Sequence, residues 1–427
     1  MAEGPLLSRP PWEGRRIVLG VSGGIAAYKS VQLARDLTAL GAQVDVVPTS
    51  AASRFVGALS FEGVTGRPVL DTLWAADGAA RHLRVASEAD LLVVAPATAD
   101  LIARLAQGRA NDLLTTLLLA ARAPTLLAPA MNDRMWSHPA TRRNVETLRE
   151  IPWYSIVGPA SGALAVGEGV GVGRMVEPEE LVERVGCALA SVPAAGPNLW
   201  RGRRIVVTAG PTREAIDPVR YVGNRSSGRM GYALAREAML RGAEVTLVSG
   251  PTALPDPIGV TVRKVESARE MLESVLQVAA SADVLVFAAA VADYRPAVAE
   301  EAKKRKESTG SGFTLELTEN PDIAMESRAV SSPHAVRVGF ALETEELHER
   351  AAAKLEAKEF DLIVANPAEE EGAGFDVDTN RVLVLDREGQ AEEWPTLSKE
   401  EVARRILDRV TPLLEGRTGE GSGGDRE

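Results

Sequence analysis

The chain carries one construction twice, and that repetition limits the folds open to it more than any other feature. RRIVLGVSGG (15–24) leads into a helical pattern ending at Leu40, then Gly41 and the strand-like AQVDVVPTS. RRIVVTAGPT (203–212) leads, after a longer loop, to YALAREAMLRGAEVTLVSG (232–250). Each run reads strand, glycine-rich turn, helix, glycine, strand, which opens a βαβ unit of a parallel sheet. Further apolar runs follow: LLVVAPA (91–97) and PTLLAPA (124–130), then VLVFAAA (284–290) and LIVANP (362–367). Such continuous apolar strands are expected where helices cover both faces of a sheet. The expected class is therefore α/β, with two consecutive open, mostly parallel sheets.

Length agrees, because 427 residues exceed one ordinary core and suit two domains of roughly 200 residues. SVPAAGPNLWRG (191–202) reads as the linker, which sets the domains at 13–190 and 203–414. Residues 1–12 and the tail EGRTGEGSGGDRE (415–427) are expected to be disordered. FDVDTNRVLVLD (375–386) reads as a hairpin turning at Asp-Thr-Asn, suited to a sheet edge or a subunit contact.

Composition narrows the class of ligand. No apolar run reaches the ~18 residues of a membrane span. The single Cys187 excludes an internal disulfide and a CxxC site, which suits the cytoplasm, and the four histidines lack metal-ligand spacing. A net charge of −11 argues against nucleic acid as a general partner. Any phosphate must be held by local cations and backbone amides.

In open α/β sheets, ligands bind where strands end and helices begin. SGGIAAYK (22–29) sits there, its small residues letting backbone N–H groups approach an anion, and it lacks the GxGxxG spacing of a dinucleotide site. VVAPATADLIARLAQGRANDLL (93–114) and LLAPAMNDRMW (126–136) each place Pro-Ala and then a polar group after a buried strand. With TSAASRF (49–55), these motifs cover most of residues 15–180, and the half resembles the flavin-dependent cysteine decarboxylase family. The resemblance implies a flavodoxin- or Rossmann-like domain holding FMN through Ser22, Gly23, Gly24, Thr49 and the turn of Ala95, Pro96 and Thr98. It also implies a catalytic role for His82, in RHLRVASEAD, and for Asn132, which is expected to hold the substrate carboxylate. Flavin fits this chemistry because a hydride taken from the thiol-bearing carbon creates the electron sink that lets CO₂ depart.

One stretch departs from the family. LAVGEGVGVGRM (164–175) corresponds to a glycine-rich flap whose cysteine donates a proton in that family, and here the position is Val166. Three explanations stand open. Another acid (Glu168, His138 or water) serves instead; or the half stops at the enethiol; or it binds flavin without turning over. Cys187, in the helical LVERVGCALA, reads as a core residue.

The second half is more explicit. GPTREAIDPVRYVGNRSSGRMG (210–231) gathers Arg213, Arg220, Arg225 and Arg229 with Asn224 and two serines between strand and helix, as a phosphate or carboxylate site requires. AAAVADYRP (288–296), the cationic AKKRKES (302–308), NPDI (320–323), GFALET (339–344) and KLEAKEFDLIVAN (354–366) complete a half that resembles the phosphopantothenate–cysteine ligases from about 203 to 410. The order of the halves resembles that of the bifunctional coenzyme A biosynthesis family. A Rossmann-like domain is implied, with Phe287, Ala288, Ala289, Asp293, Lys303, Pro321, Asp322, Ile323, Ala324, Phe340, Lys354 and Lys358 lining a CTP site. Asn224 and Arg220 would handle an acyl-cytidylate, Ala290 would lie on the same wall, and Lys303 with Mg²⁺ would neutralise phosphate charge, its ligands unassigned.

The activities implied are CTP-dependent joining of 4′-phosphopantothenate to cysteine, then FMN-dependent decarboxylation of phosphopantothenoylcysteine to phosphopantetheine. A trimer of the flavin half and a dimer of the ligase half are implied as well. Two rivals remain: a ligase carrying an inactive flavin half, and a nucleotide- and flavin-binding scaffold without catalysis.

Overall fold

The computed structural model describes residues 10–74, 80–164, 167, 169–193, 198–303, 313–343, 346–367 and 378–419. The chain divides into two compact units, Arg9–Pro197 and Asn198–Glu427, the latter grouped with Met1–Ser8.

The first unit is built on parallel strands β1 (Arg16–Val21), β2 (Gln43–Pro48), β3 (Leu91–Ala97), β4 (Thr125–Pro129) and β5 (Tyr154–Ile156), ordered β2-β1-β3-β4-β5. That is the flavodoxin order. β3 is buried at every position and β1 at all but its first, as strands covered on both faces must be. The core between β3 and its covering helices is aliphatic, with Leu92, Leu101, Ile102, Leu114 and Leu117 nearly inaccessible. A separate hairpin, β6 (Ala160–Ala163) and β7 (Val170–Arg174), carries the alternating glycines.

Those glycines serve two purposes. Gly167 and Gly169, at φ +87° and +80°, make the left-handed turn that closes the hairpin, where the N–H of Leu164 donates to the carbonyl of Gly169. Gly171 and Gly173 lie against the loop after β4. A Cβ on Gly173 would stand 2.1 Å from the carbonyl oxygen of Met131, and one on Gly171 would stand 2.7 Å from Cβ of Asp133. The N–H of Met131 donates to the carbonyl of Gly173 at 2.9 Å, so the ribbon is docked at its base.

The second unit holds an eight-stranded sheet ordered β12-β11-β8-β13-β16-β17-β18-β19. The six parallel strands are β8 (Arg204–Ala209), β11 (Glu244–Ser249), β12 (Thr261–Lys264), β13 (Val284–Phe287), β16 (Val336–Glu343) and β17 (Leu362–Pro367). In chain order they read 3-2-1-4-5-6, the Rossmann arrangement. The antiparallel β18 (Thr379–Asp386) and β19 (Ala391–Ser398) extend one edge. Two short pairs, β9 (Glu214–Ala215) with β10 (Tyr221–Val222) and β14 (Tyr294–Pro296) with β15 (Leu317–Glu319), stand outside the sheet.

The structure corrects several boundaries. Thr379 and Asn380, placed in a turn by the sequence, lie within β18, and the hairpin instead turns through Asp386–Gln390 with Gly389 at φ +79°. Gly389 supplies the positive φ that Asp-Thr-Asn does not. Trp12, inside the leader expected to be disordered, is buried with its N–H donating to the carbonyl of Leu40. The last helix, Lys399–Gly419, extends past residue 414 into the expected tail. Trp200 belongs to the second unit rather than to a free linker: it is buried, and its indole N–H donates to Thr411.

Glycine also closes the second unit's turns. A Cβ on Gly250 would stand 1.8 Å from the carbonyl oxygen of Pro211, whereas one on Gly57 would meet nothing within 4 Å. Gly250→Ala is therefore expected to destabilise the second unit by several times the ~1 kcal/mol typical of point changes, and Gly57→Ala to be nearly neutral. Thermal melting of the two variants checks the contrast; equal melting temperatures contradict it.

Candidate functional sites

Each sheet reverses its strand order beside its first strand, and there the crossover helices leave on opposite faces and open a crevice. In the first unit the crevice lies between β1 and β3. Ser22, just past β1, donates from Oγ to the carbonyl of Pro96 at 2.7 Å and accepts from the N–H of Thr98 at 3.0 Å. Thr49, buried just past β2, accepts from the N–H of Ala52 through Oγ1, and its own N–H donates to Val21. Gly23 is a close-approach position, because a Cβ would stand 2.4 Å from that of Ala51. Ser22, Gly23, Gly24, Thr49, Ala95, Pro96 and Thr98 thus share one sheet edge. The helix Ala27–Ala39 starts there, and among the described residues the amides of Gly23, Gly24, Ile25 and Ala26 donate to no group of the chain. A cradle of unpaired amides at a helix start, with no side chain in the way, fits a phosphate such as that of FMN.

Asn132 reaches the same edge by following β4. It caps the helix Asp133–Ser137, accepting the N–H of Arg134 on Oδ1 at 3.0 Å, which leaves its amide N–H groups to point outward. His82 lies half-buried in the first turn of the helix Arg81–Glu88. That helix ends where Glu88 pairs with Arg16 at the start of β1, so its first turn faces the carboxyl ends of the strands. His138 is exposed and accepts from the N–H of Ala140 on Nδ1. Val166 and Glu168 lie outside the described residues. Cys187 is half-buried and burial pushes its thiol up, in line with a structural role.

Sequence reasoning passed over Lys29. It is buried, and its ammonium reaches both carboxylate oxygens of Glu177 at 2.9 Å. Glu177 also meets Arg174, at the base of the glycine hairpin, and the bond from Lys29 holds its carboxyl below the ordinary value. The motif lysine anchors the hairpin to the first helix and does not face the crevice as a free cation.

In the second unit the crevice lies between β8 and β13. Gly210–Thr212 runs beside Ala288–Ala292: Ala290 donates to Gly210 at 2.9 Å, and Ala292 donates to Oγ1 of the inaccessible Thr212 at 3.0 Å. Asn224 lies in the loop leading to the helix Arg229–Leu240 and donates from Nδ2 to the carbonyl of Val291 at 2.8 Å. Its Oδ1 and second N–H remain for a ligand. A cleft of about 380 Å³ opens beside it, lined by Thr212, Arg213, Asn224, Arg225 and Ser226 among others. Gly228 at φ +77° caps the helix, and its N–H donates to Ser226. Arg220 is no free cation, since its Nε donates to the buried Asp217 at 2.9 Å.

The remaining expected residues divide. Asp322 and Lys358 are brought together as an ion pair at 2.9 Å, and Asp322 caps the helix Ile323–Arg328. Burial pushes Asp322 up, but the ammonium of Lys358 and the N–H groups of Met325 and Ala324 outweigh it and hold its carboxyl below the ordinary value. Phe287 stacks on Phe360, centroids 5.8 Å apart. Phe340 and Lys354 are half-buried, Asp293 is exposed with its carbonyl accepting from Asn320, and Lys303 is exposed. Pro321 precedes the cap, and Ile323 and Ala324 are buried in that helix. Lys304–Lys306 lie outside the described residues. Among the described residues, no three His, Cys, Asp or Glu side chains gather as metal ligands.

Because the folded carboxyl of Asp322 titrates below the unfolded value of ~3.9, its stabilisation is present above that pH and fades as pH falls through the lower folded value. Asp322→Asn is expected to lower the melting temperature of the second unit at pH 7, the gap to wild type narrowing as pH falls below the unfolded carboxylate range. A gap independent of pH contradicts the pairing.

Comparison with known proteins shows the family of each unit. Residues 8–189 match the Flavoprotein family model, and residues 200–413 match the C-terminal domain of the DNA/pantothenate metabolism flavoproteins. The coenzyme A biosynthesis bifunctional protein CoaBC of Vibrio cholerae is 46% identical over 399 residues, covering 93% of this chain and 98% of that one. The protein of the same name from Mycobacterium tuberculosis is 47% identical over 412 residues, covering 94% and 97%. The solved C-terminal domain of a CoaBC protein shares 42% identity and a TM-score of 0.44, spanning 52% of this chain and 100% of that one. No described helix is long and apolar enough to cross a membrane. A Flavoprotein unit followed by a pantothenate-metabolism unit, with 46% identity to a bifunctional relative over 93% of the chain, places the chain in the family of bifunctional coenzyme A biosynthesis enzymes.

Proposed function

We propose that the second unit joins 4′-phosphopantothenate to cysteine at the expense of CTP and that the first unit decarboxylates the product. The observation that carries this is the hydrogen bond from Asn224 to Val291, which joins the serine-rich anion loop to the wall of Ala288–Asp293. In the ligase reaction a pantothenate carboxylate oxygen attacks the α-phosphorus of CTP, and the bond to the β-phosphate breaks to release pyrophosphate. The cysteine amine then attacks the acyl carbon, CMP leaves, and the amine proton passes to water.

The amides at the start of the helix Arg229–Leu240 and the hydroxyls of Ser226 and Ser227 would hold the triphosphate, with Mg²⁺ arriving on the nucleotide. Asn224 offers its spare N–H to the acyl oxygen. Lys303 and Lys354 would add charge, Phe287, Phe340 and Pro321–Ala324 would enclose the base, and Lys358, already paired, would fix Asp322.

In the first unit, Gly23, Gly24, Ser22 and Thr98 would hold the phosphate of FMN, which when bound supplies the hydride acceptor that decarboxylation requires. Asn132 would fix the substrate carboxylate through its outward N–H groups, and His82 would face the same edge. Exposed Ile25, Tyr28, Phe55 and Leu59 around this rim support a trimeric flavin unit, proposed together with a ligase dimer and a cytoplasmic location. A second reading rests on Val166, which has no exchangeable proton: the first unit then stops at the enethiol.

His82→Asn is expected to abolish CO₂ release from phosphopantothenoylcysteine while pyrophosphate release continues, and Asn224→Ala to do the reverse. Loss of both activities in either variant contradicts the division of labour. Mass spectrometry of the product separates the readings, since the enethiol is lighter than the saturated thiol by two hydrogens.

A further inference from the structure

Arg337 lies near the start of β16 yet is only 6% exposed. Opposite Leu285 of β13, it shares the sheet face that also carries Phe287. Its Nη2 donates to the carbonyl of Ala324, and its guanidinium carbon stands 5.2 Å from the ring centroid of Phe287. Phe287 leans in turn on Phe360, whose ring occupies the space where a Cβ on Gly339 would fall. Burial makes this guanidinium easier to deprotonate than usual. Its Nε and Nη1 are buried without an acceptor, and among the described residues it forms no ion pair.

A side chain serving only to fill this space would be aliphatic, because burying an unpaired cation with unsatisfied donors is costly. What arginine adds is simultaneous contact with two separate elements, the ring after β13 and the helix after Asp322. A planar guanidinium can lie on an aromatic face while donating in its own plane, which neither lysine nor methionine does. Both elements belong to the expected nucleotide wall, Phe287 on one side and Pro321–Ala324 on the other.

We infer that Arg337 is a positioning residue for the nucleotide site, holding the ring of Phe287 and the helix Ile323–Arg328 at the spacing a pyrimidine nucleotide requires. The inference rests on the CTP reading above and adds a residue that touches neither the nucleotide nor the reacting carboxylate. Its signature is a loss in CTP affinity with the chemical step intact, because Asn224 and the helix start at Arg229 are untouched.

The test is calorimetric titration of the full chain with MgCTP, paired with ligase kinetics, for wild type, Arg337→Met and Arg337→Lys. Arg337→Met is expected to weaken CTP binding and raise KM for CTP by about tenfold or more, with kcat within about twofold of wild type. CO₂ release from supplied phosphopantothenoylcysteine stays unchanged as the internal control. Unaltered CTP affinity in Arg337→Met, or a fall in kcat at constant affinity, overturns the inference. Should Arg337→Met fail to fold, Arg337→Lys decides: binding weaker by about threefold supports positioning, and wild-type binding overturns it. A wild-type chain that ignores CTP overturns the nucleotide reading itself, whatever the variants do.

Discussion

Both sites depend on backbone meeting backbone where a side chain would keep the two apart. Gly23 lies on Ala51, Gly173 on the carbonyl of Met131, Gly223 on that of Thr212, and Gly250 on that of Pro211. These contacts nest the loops after neighbouring strands tightly enough to leave amides facing the crevice with no internal partner. An anion can then be bound by a chain whose net charge is strongly negative. The field at each crevice is set locally, by a helix start and a few oriented N–H groups, and not by the protein as a whole.

Around these turns the ionic groups act mostly as fasteners. Lys29 with Glu177, Arg220 with Asp217, and Lys358 with Asp322 are all cation–carboxylate pairs inside motifs that read as ligand-facing in one dimension. Each fastens backbone segments in place, and the side chains of Asn132 and Asn224 keep N–H groups for the crevices, beside Arg213 and Arg225 in the second.

Much of the architecture was legible because its cause is local. Apolar runs between glycine turns dictate buried parallel strands, and the duplicated pattern dictates two sheets. The edges were less so: Asp-Thr-Asn resembles a turn, but Gly389 a few residues later provides the positive φ that takes the turn away from it. The glycine ribbon was visible as glycine, whereas its division into a left-handed turn and a docked face depends on the position of Met131. Arg337 left no signal, since a lone arginine within an apolar strand reads as an interruption until Phe287 and Ala324 are placed beside it.

If each unit owns one independent anion seat at its strand-order reversal, the two ligands bind separably. Titrating the chain with FMN and with MgCTP, for Gly24→Asp and Ser226→Asp, tests it directly. A Cβ on Gly24 meets only Thr98, at 3.4 Å, and a carboxylate at 226 can still accept the N–H of Gly228, so neither change should disturb folding. Gly24→Asp should lose FMN and keep CTP, and Ser226→Asp should lose CTP and keep FMN. Retention of both ligands by both variants, or loss of both by one, would contradict it.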